Sequence, residues 1–305
     1  MLWLKLCLSL VLLAYLLWAL DLTNILHILK AADWALFVAA CLCLLVAQIF
    51  SAMRWTWLAR GLGLTVRMAR KIQLYFLGMF LSLFLPSILG GDVARGWLLA
   101  KGKKNAAWPA AASVILDRIN GLLGLMLVVS FCMFFLDLPV LWMVLWNTAC
   151  IVLLLVFSTL SWWWPRLINA AWVVRRQGKG SGWKNLQIDT PAFRTAWWAC
   201  IPLTLVFQIL VIQSHVFLGM AVGLQLSWFV YAFIVCLTAL ATALPLSFNG
   251  FGIREAGYIG LATWFGGASE TAAAMAALWV LALLIVSFPG GLVLWRMGGS
   301  NIFKR

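Results

Sequence analysis

The segment LFLPSILGGDVAR, Leu83–Arg95, interrupts an otherwise apolar chain. It closes an apolar run, about 72–89, yet it places Pro86, Gly90 and Gly91 where a crossing helix needs unbroken backbone. Proline removes a helix hydrogen bond and glycine loosens the backbone, so the sequence predicts a break here. The flanking charges agree. Segment 54–71 holds Arg54, Arg60, Arg67, Arg70 and Lys71, and segment 95–104 holds Arg95, Lys101, Lys103 and Lys104. Basic loops stay on the cytoplasmic side of a membrane, which puts both segments on the same side. Residues 72–104 are therefore expected to enter and leave on one side as a re-entrant hairpin. Such backbone is tolerated at membrane depth where protein or a cavity surrounds it.

The premise of a membrane comes from composition. Hydrophobic residues are 65% of the 305, charged ones 10%, and the mean hydropathy is +1.04. A soluble domain is about half apolar and about a quarter charged, so this chain lacks the polar residues to wet its surface. Apolar runs fall at roughly 2–20, 34–58, 72–89, 106–136, 139–164, 195–222, 226–244, 253–267 and 271–295. The longer ones suit helices crossing ~30 Å of hydrocarbon. The net charge of +14 reflects basic loops rather than nucleic-acid binding. The seven Cys sit in apolar runs without a CxxC, and there are two His, so no metal site and no cofactor is expected. The first run has no cleavage site before Asp21 and reads as a retained helix. The connection 21–33, with Asp21, His27, Lys30 and Asp33, reads as an outer loop.

A second broken run, LPLSFNGFGIREAG, Leu244–Gly257, lies between helices that run outward at 195–222 and inward at 271–295. Residues 226–267 are expected to form a hairpin entering from the opposite side. The fold class is thus all-α integral membrane: six transmembrane helices plus two re-entrant hairpins, one transmembrane domain over 1–305, both termini cytoplasmic. Of 22 Lys and Arg, Lys30 then lies outside and Arg118 and Arg254 within the membrane, leaving 19 cytoplasmic. The longest cytoplasmic loop is about 165–194. The two hairpins also resemble each other. Pro86 precedes Arg95, and Pro245 precedes Arg254, by the same nine residues, with Gly91 and Gly250 at matching places. This suggests inverted repeats over about 1–137 and 138–305, and paired broken helices point to a transporter's substrate site.

Six ionisable residues fall near the membrane centre: Asp92, Arg95, Asp117, Arg118, Arg254 and Glu255. Charges there face a partner or a wet cavity. Asp117 and Arg118 are sequence neighbours and cannot pair on a helix, so each needs a partner elsewhere. Either the six pair off as a structural lock, or arginines and the half-helix starts near Asp92 and Ile253 hold an anion. Asp92 is alternatively a cap for its own half-helix. Asn120 and Asn249 are nearby polar candidates, Asn249 also as a cap. His215 reads as a hydrogen-bonded histidine or, less simply, a proton relay.

The strings LPSILGGDVAR (Leu85–Arg95), SVILDRINGLLGL (Ser113–Leu125) and LPLSFNGFGIREAG resemble, in order and spacing, the flippase-like family named for the transmembrane region of lysylphosphatidylglycerol synthase. The resemblance covers about 30–296. Its name-giving members carry a soluble aminoacyl-transferase domain that this chain does not show, so synthase activity is not carried over. The resemblance implies lipid translocation, with motif positions Pro86, Gly90, Gly91, Asp92, Arg95, Asp117, Arg118, Pro245, Asn249, Gly250, Gly252, Arg254 and Glu255. The expectation is a non-enzymatic lipid transporter of the bacterial inner membrane acting on a phosphate-bearing lipid: a phospholipid, aminoacyl-phospholipid, hopanoid or polyprenyl-linked lipid. Its partners are membrane lipids, with no nucleic acid, and a homodimer or a lipid-biosynthesis enzyme as a further partner. The alternatives are an integral-membrane transferase on a lipid-linked substrate, or a scaffold subunit without transport.

Overall fold

Two aspartates start the first two helices. Asp21 accepts hydrogen bonds from the Thr23 and Asn24 N–H groups at 2.9 and 3.1 Å, capping α1, Leu22–Lys30. Asp33 accepts from Ala35 and Leu36 at 2.8 and 3.2 Å, capping α2, Trp34–Gly61. Each acid satisfies N–H groups that a helix start leaves open. The 21–33 connection is therefore not the loop expected from its charges, and His27 lies on a helix. This computed structural model describes residues 18–84, 90–103, 105–168, 191–243 and 250–297, with residues 11, 14 and 15. Most of the first apolar run, Pro86, Pro245, Asn249 and most of the 165–194 loop lie outside the described residues.

The remaining helices are α3 (Met68–Phe84), α4 (Gly90–Ala100), α5 (Ala107–Met133), α6 (Val140–Ile168), α7 (Pro191–Ala221), α8 (Trp228–Ala243), α9 (Ile253–Trp264) and α10 (Ser269–Arg296). Every described element is helical, and α2, α5, α7 and α10 are each long and apolar enough to cross a membrane. The protein is a multi-pass membrane protein of the α class. Its outer faces fit that solvent: Val38, Leu42 and Val46 on α2, Ile209 on α7, and Ile285 and Phe288 on α10 are exposed.

The helices recur in order. Lengths of 28, 17, 11 and 27 residues (α2 to α5) are followed, after α6, by 31, 16, 12 and 28 (α7 to α10). The bend after α2 matches the bend after α7. Gly63 and Gly223 take φ of +79° and +77°, the left-handed region glycine reaches without penalty. The next residue's N–H then reaches back to a helix carbonyl, Leu64 to Ala59 and Leu224 to Gly219, both at 2.9 Å. Even the side chain bracing each bend is matched. The Lys71 ammonium donates to Leu64 O at 3.0 Å, and the Tyr231 hydroxyl donates to Leu224 O at 2.6 Å, each across seven residues. Lys71 is fully buried and also donates to Thr56 O at 3.3 Å. It is a buried structural group rather than the loop base its neighbours suggested.

α2 packs most extensively against α7, and α3 against α10. Small residues allow the second contact: a side chain at Gly290 would run into the Phe76 carbonyl and Phe80. α3 and α4 also cross closely, because a Cβ on Gly78 would stand 2.8 Å from Gly91 O. Apolar clusters fill the two ends of the bundle. One holds Leu44, Val129 and Ile212; another holds Trp55, Leu77 and Ala110. A polar layer lies where α2, α5 and α7 meet.

Gly290→Ala is expected to lose about 1–3 kcal/mol by overpacking, read as a lower thermal unfolding midpoint in detergent. Gly260→Ala, which would meet nothing within 4 Å, is expected to leave that midpoint unchanged or slightly raised.

Candidate functional site

The polar layer is built around Asp117, the eleventh residue of α5, about 15 Å along the helix at 1.5 Å per residue. One carboxylate oxygen accepts from Arg54 Nε and the other from an Arg95 terminal nitrogen, both at 2.8 Å. Arg95 Nε lies 3.0 Å from an Asp92 oxygen, an ion pair without hydrogen-bond alignment. The other Asp92 oxygen pairs with Arg118. The result is one alternating chain, Arg54, Asp117, Arg95, Asp92, Arg118, joining α2, α5 and α4. Alternation answers the cost of burying charge, because each carboxylate lies between two guanidinium groups.

Neighbouring residues complete the network. The other Arg54 nitrogens donate to Thr204 Oγ1 and Ser51 Oγ, both at 3.3 Å, and Thr204 Oγ1 donates to Asn120. The Arg54 guanidinium lies against Gly121, where a Cβ would stand 3.5 and 3.6 Å from its nitrogens, an ordinary contact distance. The Arg95 guanidinium lies 4.8 Å from the Trp55 ring centre and 5.0 Å from that of Tyr75, a stacking geometry suited to a cation. Tyr75 OH lies within hydrogen-bond distance of Ser51 Oγ, 2.7 Å, and Gln48 Oε1, 3.1 Å.

The network forms one wall of a cavity of about 620 Å³ between the two sets of helices. Ser51, Tyr75, Gln208, Thr242 and Arg254 add further polar groups, while Leu83, Phe84, Leu122, Phe251, Val280, Leu283 and Leu284 make an apolar wall. Phe84 and Leu284 are 66% and 46% exposed, so this part of the lining is not closed over.

The expected site residues divide. Asp92, Arg95, Asp117, Arg118 and Arg254 all line this cavity. Glu255 does not: its carboxylate accepts from Gly252 N–H at 2.7 Å and caps α9. Gly250 and Gly252 take φ of +79° and +83° in the turn that starts α9. Gly90 opens α4, and Gly91 serves the close crossing with α3, since a Cβ there would overlap the Gly78 carbonyl. Asp92 lies in the first turn of α4, where its side chain engages arginines. Arg54 was placed among the cytoplasmic loop bases and is instead a buried member of the charge chain, 4% exposed. The missed signal was the spacing Gln48, Ser51, Arg54, three polar residues on one helix face. His215 Nδ1 lies 2.8 Å from Val211 O and Nε2 lies 2.9 Å from Tyr258 OH, with Trp279 packed on the ring. A carbonyl only accepts, so Nδ1 carries the proton and Nε2 accepts from Tyr258; the residue ties α7 to α9 and α10.

Over residues 2–291 the chain matches the family described as the lysylphosphatidylglycerol synthase TM region. It belongs to that family. No curated protein matches the chain.

Asp117→Ala would leave Arg54 without its carboxylate and Arg95 with only its misaligned partner. The expected loss is about 3–5 kcal/mol, seen as a large fall in detergent thermal stability. Adding Arg54→Met to it removes one stranded charge and is expected to recover part of that loss.

Proposed function

We propose that this member of the lysylphosphatidylglycerol synthase TM-region family is a lipid transporter that moves a phosphate-bearing head group across the bacterial inner membrane. The observation that carries the reading is the mixed lining of the cavity: guanidinium groups and carboxylates share it with Leu, Phe and Val, among the long apolar helices. A head group would enter the polar side while its acyl chains stay against the apolar side. Binding pockets combine an apolar lining with a few placed polar groups in this way. In this reading α3 with α4, and α8 with α9, are re-entrant hairpins that enter from opposite faces, within two inverted repeats and six crossings in all. Both termini are cytoplasmic. Residues of both repeats line the cavity, so rocking one repeat against the other would expose it to each leaflet in turn. The chain itself catalyses no bond change in this scheme, and its partners are membrane lipids and a second copy or a lipid-biosynthesis enzyme.

A scaffold subunit is the second reading, favoured by the charge chain, because both cavity aspartates are held between arginines. Reconstitution into vesicles with fluorescently labelled phospholipids separates the two. Transport predicts that the wild-type chain moves label between leaflets well above protein-free vesicles. It also predicts that Arg254→Ala, which removes the second repeat's charge from the wall, slows this by about tenfold or more. Equal background rates for both proteins with every head group would sink the transport reading and leave the scaffold.

A further inference from the structure

The wall's charge bears on which head group enters. Among the described residues the wall holds four arginines (Arg54, Arg95, Arg118, Arg254) and two aspartates (Asp92, Asp117), and no Lys, Glu or His. Four positive charges less two negative gives +2. Counting Glu255, which is turned to the α9 start and lies off the wall, still leaves +1. Both wall carboxylates are committed, Asp117 to Arg54 and Arg95, and Asp92 to Arg95 and Arg118. A cationic amine brought here meets a net positive wall and has to take a carboxylate from an arginine. An anion reduces the excess charge instead.

Exposure shows where an anion would land. Side chains at the inner end of the chain, Arg54, Asp117 and Arg95, are 4–5% exposed, whereas the Arg118 side chain is 35% exposed. The inner end is fixed by the fold and the outer end faces the cavity. The second set of helices offers no equivalent acid. The twelfth residue of α5 is Arg118 and the twelfth of α10 is Val280, which also lines the cavity. The eleventh residues are Asp117 and Trp279.

We propose, resting on the transport reading above, that this cavity takes a net anionic lipid head group at Arg118 and Arg254 and rejects a net cationic aminoacyl one. Lysylphosphatidylglycerol, the lipid in the family's description, is of the rejected kind, since its two amines outnumber its one phosphate charge. The preference arises as much from the unfavourable charge against the wrong lipid as from contacts with the right one.

The test uses the full chain in detergent, titrated with short-chain phosphatidic acid, phosphatidylglycerol, phosphatidylethanolamine and lysylphosphatidylglycerol. Binding is followed by thermal shift. The two anionic lipids are expected to bind about tenfold tighter than the lysyl lipid, with phosphatidylethanolamine between. Arg118→Gln and Arg254→Gln should each erode that preference, Arg254→Lys should keep it, and Lys103→Gln, an exposed base off the wall, should leave it intact. Lysylphosphatidylglycerol binding as tightly as phosphatidylglycerol to the wild type overturns the charge selection, while vesicle transport of either lipid would keep the transport reading. A preference lost in Lys103→Gln but kept in both Gln variants overturns the site. No binding by any of the four lipids, with no vesicle transport, overturns both readings.

Discussion

A charge at the middle of a bilayer needs a partner, and most of this architecture follows from meeting that need. The alternating chain from Arg54 to Arg118 meets it with three arginines and two aspartates on three helices. It pins the short helix α4, which on its own would have little reason to sit at one depth. Arg95 and Asp92 bring α4 to α5, and Asp117 carries the connection to α2. The glycines follow from this. Gly78 and Gly91 let α3 and α4 cross closely beside Arg95. A buried ion network adds little net stability, because desolvation offsets attraction, but it is unforgiving of a missing member. It therefore specifies position more than it adds strength.

The two sets of helices share a backbone plan and divide the chemistry. Their first bends are alike down to a glycine at positive φ and a side chain donating to the bend carbonyl. At mid-height they part. Counted back from the bend glycines, Arg54 corresponds to Ser214 and Trp55 to His215. Arg54 is paired with Asp117, whereas Ser214 donates to its own helix at Val211 O, and Trp279 packs on the neighbouring His215. The first set supplies five of the six charged residues on the cavity lining, together with apolar ones such as Leu83, Phe84 and Leu122; the second supplies one charge, Arg254. A cavity between unlike walls suits an amphipathic ligand, and that asymmetry underlies the proposed transport of lipid.

Much of this was legible in the sequence because hydrophobic run length and backbone breakers are local signals. Helix α9 begins at Ile253, inside the second broken run, and α4 begins at Gly90, inside the first. Asp92, Arg95, Asp117, Arg118 and Arg254 stood out because a charge in an apolar run is conspicuous. Arg54 and Lys71 did not, because each lies close to other bases and so reads as part of a wetted loop. Glu255 stood out for the same reason as the others and went to a different task, since a carboxylate three residues past a turn glycine reaches its own helix start more easily than a distant site.

From sequence alone it follows that the chain is a helical membrane protein, where its helices break, and that Asp92, Arg95, Asp117, Arg118 and Arg254 interrupt its apolar runs. Those properties depend on neighbours along the chain: about 20 apolar residues in a row, a proline, a pair of glycines. Tertiary structure decided who pairs with whom. Asp117 could have met any of several arginines. The packing of α2 against α7, and of α4 against α5, brought Arg54 and Arg95 to it and left Arg118 at the cavity edge. Pairing is a matter of distance through space between helices far apart in sequence, and no local pattern encodes it.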